Sequence, residues 1–219
     1  MRAELAVALG QPSPAPLDRF EAQASRDSLV ELSGVLRVVA VSLTKIANDI
    51  AWLGSGPRAG LGEVTIPELQ KGSSIMPGKV NPVMAEVVLQ VAAQVIGNDA
   101  AITVGGMQGN FELNVRVPLI ARNLLSSINL LGTATTLFAD RCVAGITANS
   151  DRLRWLADHT LATATALNPI VGYDMATTIV RHAETSGLSI RAAALELGVA
   201  ADDLGDALDP DRIASGNQP

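Results

Sequence analysis

Read for apolar and polar positions alone, the chain separates into long and short helical stretches divided by glycine- and proline-rich breaks. From Asp27, placed to cap a helix, Leu29, Leu32, Val35, Leu36, Val39, Leu43, Ile46 and Ile50 recur three and four apart. That spacing predicts one helix running to about Leu53, where GSGPRAGLGE (54–63) stops it. At about 25 residues it would be roughly 38 Å long. Its apolar residues spread around much of the circumference, as in a helix from a bundle interior. A second helix is expected from Asn81-Pro82, with Asn81 capping and Pro82 in the first helical position. Its apolar face would be Val87, Val88, Val91, Val95 and Ile96, and Gly105-Gly106 would end it. A third follows Pro118 to about Asp140.

The segment GQPSPAPLDRF (10–20) carries three prolines among small residues and is expected to be non-helical. VAGITANSD (143–151) breaks the long-helix pattern, and the helices predicted beyond it are shorter. They are 151–166, capped by Asn149 or Ser150, about 173–186, stopped by Gly187, and 189–197, stopped by Gly198. The expected fold is therefore all-α: a long-helix bundle over 1–148, then a small helical domain over 149–219. There is no internal repeat or low-complexity tract.

Composition sharpens this picture. Nearly half of the 219 residues are apolar but only 3% are aromatic. Alanine, leucine and valine suit closely packed helices better than a β-sandwich. A net charge of −6, with no basic run and no aromatic ladder, argues against nucleic-acid binding. The single cysteine, Cys142, can form no intramolecular disulfide and fits a reducing compartment. The opening MRAELAVALG is a poor signal peptide, because its apolar stretch is short and Glu4 interrupts it. Lys, Asn or Asp breaks the longest apolar runs, so no membrane span is expected and a cytoplasmic protein is.

The stretch GSSIMPGKVNP (72–82) holds the candidate chemistry. It is not a Walker loop: five residues separate the glycines, Pro77 removes a backbone donor, and Val80 follows the lysine. Lys79 offers a compact cation and Asn81 a directional amide at a helix N-terminus, a combination suited to a carboxylate. Ser73 and Ser74 follow Gly72, where the backbone can turn sharply. A serine hydroxyl removes a carbon-bound proton only if backbone donors and a nearby cation stabilise its alkoxide in a site closed to water. Glycines 72 and 78 would let the stretch close as a lid. The pattern points to proton abstraction beside a carboxylate, with no obvious partner acid in the chain.

Other residues read more plainly. His159 and His182 lack a second ligand at helical spacing and fit solvent-facing or capping roles rather than a metal site. Cys142, beside Arg141, is either a slightly acidified thiol or, as is commoner, a packing residue. Trp52 and Trp155 read as packing residues. Glu86, Gln90 and Gln94, taken alone, read as a solvated helix face. GGMQGNFELN (105–114) has an unusual composition for a mere connection.

GSSIMPGKVNP resembles the signature of the fumarase/aspartase superfamily, which includes argininosuccinate and adenylosuccinate lyases. The resemblance continues through SLTKIANDIAWLGSGPRAGLGE (42–63), VIGNDAAITVGG, GNFELNV, TALNPIVGYDMA and LSIRAAALELG, covering about residues 18 to 200. Gly78 in MPGK and GNFELNV resemble class II fumarases most closely, while the valine-rich NPVMAEVVLQVAAQVIGND leans toward aspartases.

The resemblance implies reversible hydration of fumarate to (S)-malate through a carbanion, a tricarboxylic acid cycle reaction, with no metal or organic cofactor. Ser73 matches the family's catalytic base on the mobile loop, and Ser74 its substrate-contacting neighbour. Lys79, Val80 and Asn81 match the stretch that binds the dicarboxylate, and Glu86 the acid that pairs with the family's catalytic histidine. Family members are homotetramers with active sites shared between subunits. They are also about twice this length, so the chain is expected to correspond to the C-terminal half: part of the central bundle, then the small C-terminal domain. The Thr-His pair carrying the catalytic histidine has no match here, since Thr follows rather than precedes His159 and His182 does not fit. Lys71 stands where fumarases commonly have proline. The chain alone is accordingly expected to be inactive or incomplete. Aspartate ammonia-lyase and a non-catalytic helical scaffold are the alternatives.

Overall fold

The structure is a computed structural model describing residues 2–215. It divides into two compact units: the chain up to Ser55 together with Ile66–Ile146, and Gly56–Thr65 together with the chain from Thr147 onward. The first unit contains α1 (Arg2–Leu9), α2 (Arg19–Ala24), α3 (Asp27–Leu53), α4 (Val83–Gly106) and α5 (Val117–Arg141), followed by a 3-10 turn over Val143–Gly145. Within the proline-rich 10–20 segment only the last two residues are helical, because Asp18 caps α2 by accepting from Phe20 N at 2.8 Å and Glu21 N at 3.2 Å. Asp27 is not the cap of α3 but its first residue. The cap position belongs to Arg26, whose guanidinium instead donates to Ala22 O, Gln23 O and Ser25 O at the end of α2.

Three long helices build the core of this unit. On α4 the buried positions Ala85, Val88, Ala92, Val95, Asp99 and Ile102 alternate three and four apart. On α5 the same alternation runs through Ile120, Leu124, Ser127, Leu131, Ala134 and Phe138. On α3 the buried positions are Ser33, Ala40 and Ala47, seven apart, each followed three residues on by a half-buried one, Leu36, Leu43 and Ile50. This is a seven-residue repeat of buried positions, the spacing of a helix–helix seam. Of the residues expected on the α3 apolar face, Leu32, Val35, Val39 and Ile46 are exposed instead. Periodicity marked apolar positions correctly, but the contacting seam on α3 is built from small side chains that let the helices approach closely. Gly105 and Gly106 do end α4, and they also sit at tight contacts. A Cβ on Gly106 would lie 2.5 Å from Val30 Cγ2, and one on Gly105 would lie 2.9 Å from Ile120 Cγ1.

By length and composition alone α4 could cross a membrane. Its buried stripe nevertheless carries Asn98 and Asp99, both satisfied by neighbouring helices. Asp99 accepts from Ser33 Oγ at 2.7 Å and from the Arg37 guanidinium at 2.8 Å. Asn98 donates to Ser127 Oγ at 3.0 Å and accepts from Gln94 Nε2 at 2.9 Å.

In the second unit a two-residue antiparallel ladder pairs β1 (Val64–Thr65) with β2 (Thr147–Ala148). Asn149 holds the N-cap position of the next helix, as expected, but its side chain makes no cap bond there: Asn149 N donates to Glu63 O at 2.9 Å and its side-chain amide to Gly62 O at 3.1 Å, which ties down the 56–65 segment. The helix expected over 151–166 is two elements: α6 (Ser150–His159), then a 3-10 helix over Leu161–Leu167. Thr160 is extended between them and its hydroxyl accepts from Ala162 N, opening the second element. α7 (Asn168–Val171), α8 (Tyr173–Ser186), α9 (Ile190–Glu196), α10 (Ala201–Ala207) and α11 (Pro210–Ser215) complete the unit. Gly187 ends α8 in the left-handed conformation, at φ 69°, and Ser189 caps α9 by accepting from Ala192 N. Leu167, Ile179, Ile190, Ala193 and Leu204 form the centre of its core.

The buried polar contact in the long-helix seam gives a stability test. Asp99→Ala strands the Ser33 hydroxyl in the interior and should lower unfolding stability by about 2 kcal/mol in urea titration. Asp49→Ala, which removes an exposed i,i+4 partner of Lys45, should change it by less than about 0.5 kcal/mol.

Candidate active site

The GSSIMPGKVNP stretch is a closed loop leading into α4. Its base is a clasp: Gly72 N donates to Lys79 O at 3.1 Å, and Asn81 Nδ2 donates to Gly72 O at 2.9 Å. Only glycine fits at 72, since a Cβ there would lie 2.1 Å from Lys79 O. Asn81 is thus not the helix cap expected of it. Pro82 occupies that position without a side-chain cap, and the Asn81 amide reaches back across the loop. Gly78, at φ 74°, turns the chain back towards Lys79, whose N–H donates to Met76 O at 3.3 Å.

Ser73 is half-buried and its Oγ accepts two backbone donors, Ile75 N at 3.2 Å and Met76 N at 3.1 Å. Two N–H dipoles aimed at one hydroxyl oxygen favour negative charge on it. The need for backbone donors was legible in the sequence. Their identity was not, because it depends on how the turn ahead of Pro77 folds. Ser74, Lys79 and Val80 are exposed, and Glu86 is exposed in the first turn of α4. The structure therefore brings Ser73, Lys79 and Asn81 into one loop through backbone contacts and leaves the Lys79 and Glu86 side chains open to solvent. Cavities of about 390 Å³ (lined by His159 and Arg191, among others) and about 290 Å³ (lined by Tyr173 and Arg181) lie in the second unit. One of about 610 Å³ lies between α2 and the start of α3. None of these three is lined by residues of the loop.

The remaining candidates resolve individually. His159 Nδ1 donates to Trp155 O at 2.8 Å at the end of α6, and the two rings stack at 4.3 Å. His182 Nε2 pairs with Glu196 at 2.7 Å. No cluster of three or more His, Cys, Asp or Glu suited to a metal ion occurs among the described residues. Trp52 is 68% exposed and is not a packing residue, and Trp155 is exposed on the face that carries His159 and Arg152. Cys142 is buried beside Phe138, and desolvation raises its thiol pKa, so the packing reading holds and the acidified one does not. In the 105–114 connection Asn114 is buried, donating to Gly105 O and Gln108 O and accepting from Arg116 N. There Phe111 is 92% exposed at φ 58°, an uncommon conformation for an aromatic residue.

Three long helices with a Gly-Ser-Ser loop ahead of the second, followed by a small helical unit, form the architecture of the fumarate lyases. Residues 1–97 match the family described as Lyase, and 164–215 the family described as Fumarase C C-terminus. Over 185 residues, 84% of this chain, the sequence is 57% identical to the class II fumarate hydratase of Mycobacterium tuberculosis, covering 39% of that protein. The crystal structure of a Brucella melitensis fumarate lyase:delta crystallin superposes with TM-score 0.91 at 48% identity, over 97% of this chain and 46% of the other. The recombinant class II fumarase of Schistosoma mansoni superposes with TM-score 0.85 at 37% identity, over 93% and 42%. The chain belongs to the class II fumarase family, and it spans less than half the length of these relatives.

Burial of Cys142 gives a direct check. Raising its pKa withholds thiolate at neutral pH, so the native protein should react with Ellman's reagent at least about tenfold more slowly than the urea-unfolded chain. Equal rates would contradict the buried placement.

Proposed function

We propose that this chain carries the base-bearing loop of a fumarate hydratase, the enzyme that reversibly adds water to fumarate to give (S)-malate. The observation that carries the reading is Ser73 Oγ under two backbone N–H donors in a loop that also holds Lys79. In the malate-to-fumarate direction Ser73 Oγ takes the proton from the carbon beside a carboxylate. The electron pair left on that carbon delocalises into the carboxylate, whose charge Lys79 and Asn81 are suited to bind, with Ser74 and Val80 lining the same stretch. Loss of hydroxide from the neighbouring carbon, assisted by an acid, completes the elimination. Glu86 matches the residue that orients the histidine of this family, and that histidine has no counterpart in the present sequence. No metal or organic cofactor enters this scheme.

On this reading residues 1–148 are part of the central bundle domain and 149–219 the small C-terminal domain. The protein is cytoplasmic and works as a homotetramer with sites shared between subunits. Support comes from the exposed apolar residues along α3, among them Val35, Val38 and Val41, and from Leu125 and Ile128 on α5. It also comes from a loop whose charged side chains face open solvent on the single chain. The burial of Asn98 and Asp99 among helices supports reading α4 as a bundle core rather than a membrane span.

The test follows loss of fumarate ultraviolet absorbance. The 219-residue polypeptide alone should turn over little or none. Mixed with a full-length relative whose corresponding loop serine is alanine, it should restore hydration, and Ser73→Ala in this chain should remove the restored rate by about 100-fold or more. Addition of ammonia in preference to water would assign an aspartate ammonia-lyase instead. No restoration despite co-assembly would leave a helical scaffold as the better description.

A further inference from the structure

We infer that the cavity of about 390 Å³ in the second unit binds a small free amino acid, held by both its carboxylate and its ammonium. The cavity lies between the end of α6, Thr163 and the turn that leads from α8 into α9. Its volume falls within the range of small-molecule sites, about 300 to 1,000 Å³. Ile190 and Leu208 are buried and supply an apolar floor, while Asp158, His159 and Arg191 are exposed and belong to its mouth.

The groups at the mouth select the ligand class. Among the lining residues Asp158 and Arg191 alone carry a full charge, one of each sign. Neither side chain has a hydrogen-bond or ion-pair partner among the described residues. Opposite charges that share a cavity without pairing leave both free for a ligand. His159 is held in place, since its Nδ1 donates to Trp155 O at 2.8 Å and its ring stacks on Trp155 at 4.3 Å. A carbonyl only accepts, so the proton of the neutral ring sits on Nδ1 and Nε2 keeps a lone pair. The Thr163 hydroxyl donates to Thr160 O at 3.0 Å, which leaves its oxygen as an acceptor. The cavity thus offers three acceptors, the Asp158 carboxylate, His159 Nε2 and Thr163 Oγ, and one forked donor, Arg191. An ammonium brings three N–H donors, and a carboxylate suits the guanidinium fork. A dicarboxylate would meet Asp158 with a like charge, so fumarate and malate fit poorly here. No residue of the 72–82 loop lines this cavity, and binding in it is measurable without hydratase activity.

The test titrates the 219-residue chain with L-alanine and reads amide chemical shifts across 157–163 and 187–192. Saturable shifts confined to these segments are expected, with Kd near or below about 1 mM. Propionate lacks the ammonium and ethylammonium lacks the carboxylate, so each should bind at least about tenfold more weakly. Arg191→Met and Asp158→Asn, both at exposed positions, should each weaken L-alanine binding about tenfold. Glu184→Gln, which removes an exposed charge outside the cavity, should leave it unchanged. Circular dichroism checks that each variant is folded. No saturation of the folded parent by about 50 mM L-alanine would overturn the assignment. So would propionate binding as tightly as L-alanine, the mark of a general anion site, or parent-like affinity in folded Arg191→Met or Asp158→Asn.

Discussion

Everything that positions the candidate site depends on how closely α3, α4 and α5 can approach. That approach is set by small side chains: Ala40 and Ala47 on α3, Ala85 and Ala92 on α4, Ala134 on α5, with Gly105 and Gly106 where the helices converge on Val30 and Ile120. A seam of alanines buries less apolar area per residue than one of leucines, but it brings backbones together and lets partly buried neighbours such as Leu36, Leu43 and Val91 close over the sides. Into this seam two polar contacts are set, Ser33–Asp99–Arg37 and Asn98–Ser127. A one-residue slip between helices would leave a buried carboxylate and amide unpaired, so these contacts favour a single register over its neighbours.

The loop inherits that precision. α4 begins two residues after Asn81, and its first buried side chain is Ala85. The Gly72–Lys79–Asn81 clasp is thus mounted on the most firmly packed element of the first unit. A short stretch built from mobile residue types gains a defined base, while its tip stays exposed. Such an arrangement suits a group that must present an oriented hydroxyl and still admit a ligand. The charged side chains of Lys79 and Glu86 face solvent on the single chain.

Much of the fold was legible from local pattern. α3 and α4 end at Leu53 and Gly106, and α8 spans Tyr173–Ser186, as three-and-four periodicity and glycine punctuation indicate. The all-α class followed from the scarcity of aromatic residues and the length of the periodic runs. Errors arose where a side chain had a choice of partner. Asp27, Asn81 and Asn149 are all residue types that cap helices; Asp27 and Asn81 stand outside the cap position, and Asn149 holds it without a side-chain cap bond. Asn81 and Asn149 reach backbone carbonyls far away in sequence, which no local rule anticipates. Trp52 was assigned to packing by residue type, yet it lies on the outer face of α3. The division of 151–166 at Thr160 was missed because an extended threonine within a run of small residues leaves no mark in the apolar pattern.

For the candidate site the balance differs. Residue order alone determined that a Gly-Ser-Ser loop with a lysine and an asparagine precedes a long helix, because those types at that spacing serve few other purposes. It also determined membership of the class II fumarase family, through several separate stretches. Only tertiary structure decided which face of α3 is buried, since exposed valines and buried alanines follow the same period and packing selects between them. Tertiary structure alone also decided that Asn81 turns back to Gly72 and that the amides of Ile75 and Met76 meet Ser73. Those contacts depend on the path of a non-repeating backbone, and such a path has no period for a sequence to display.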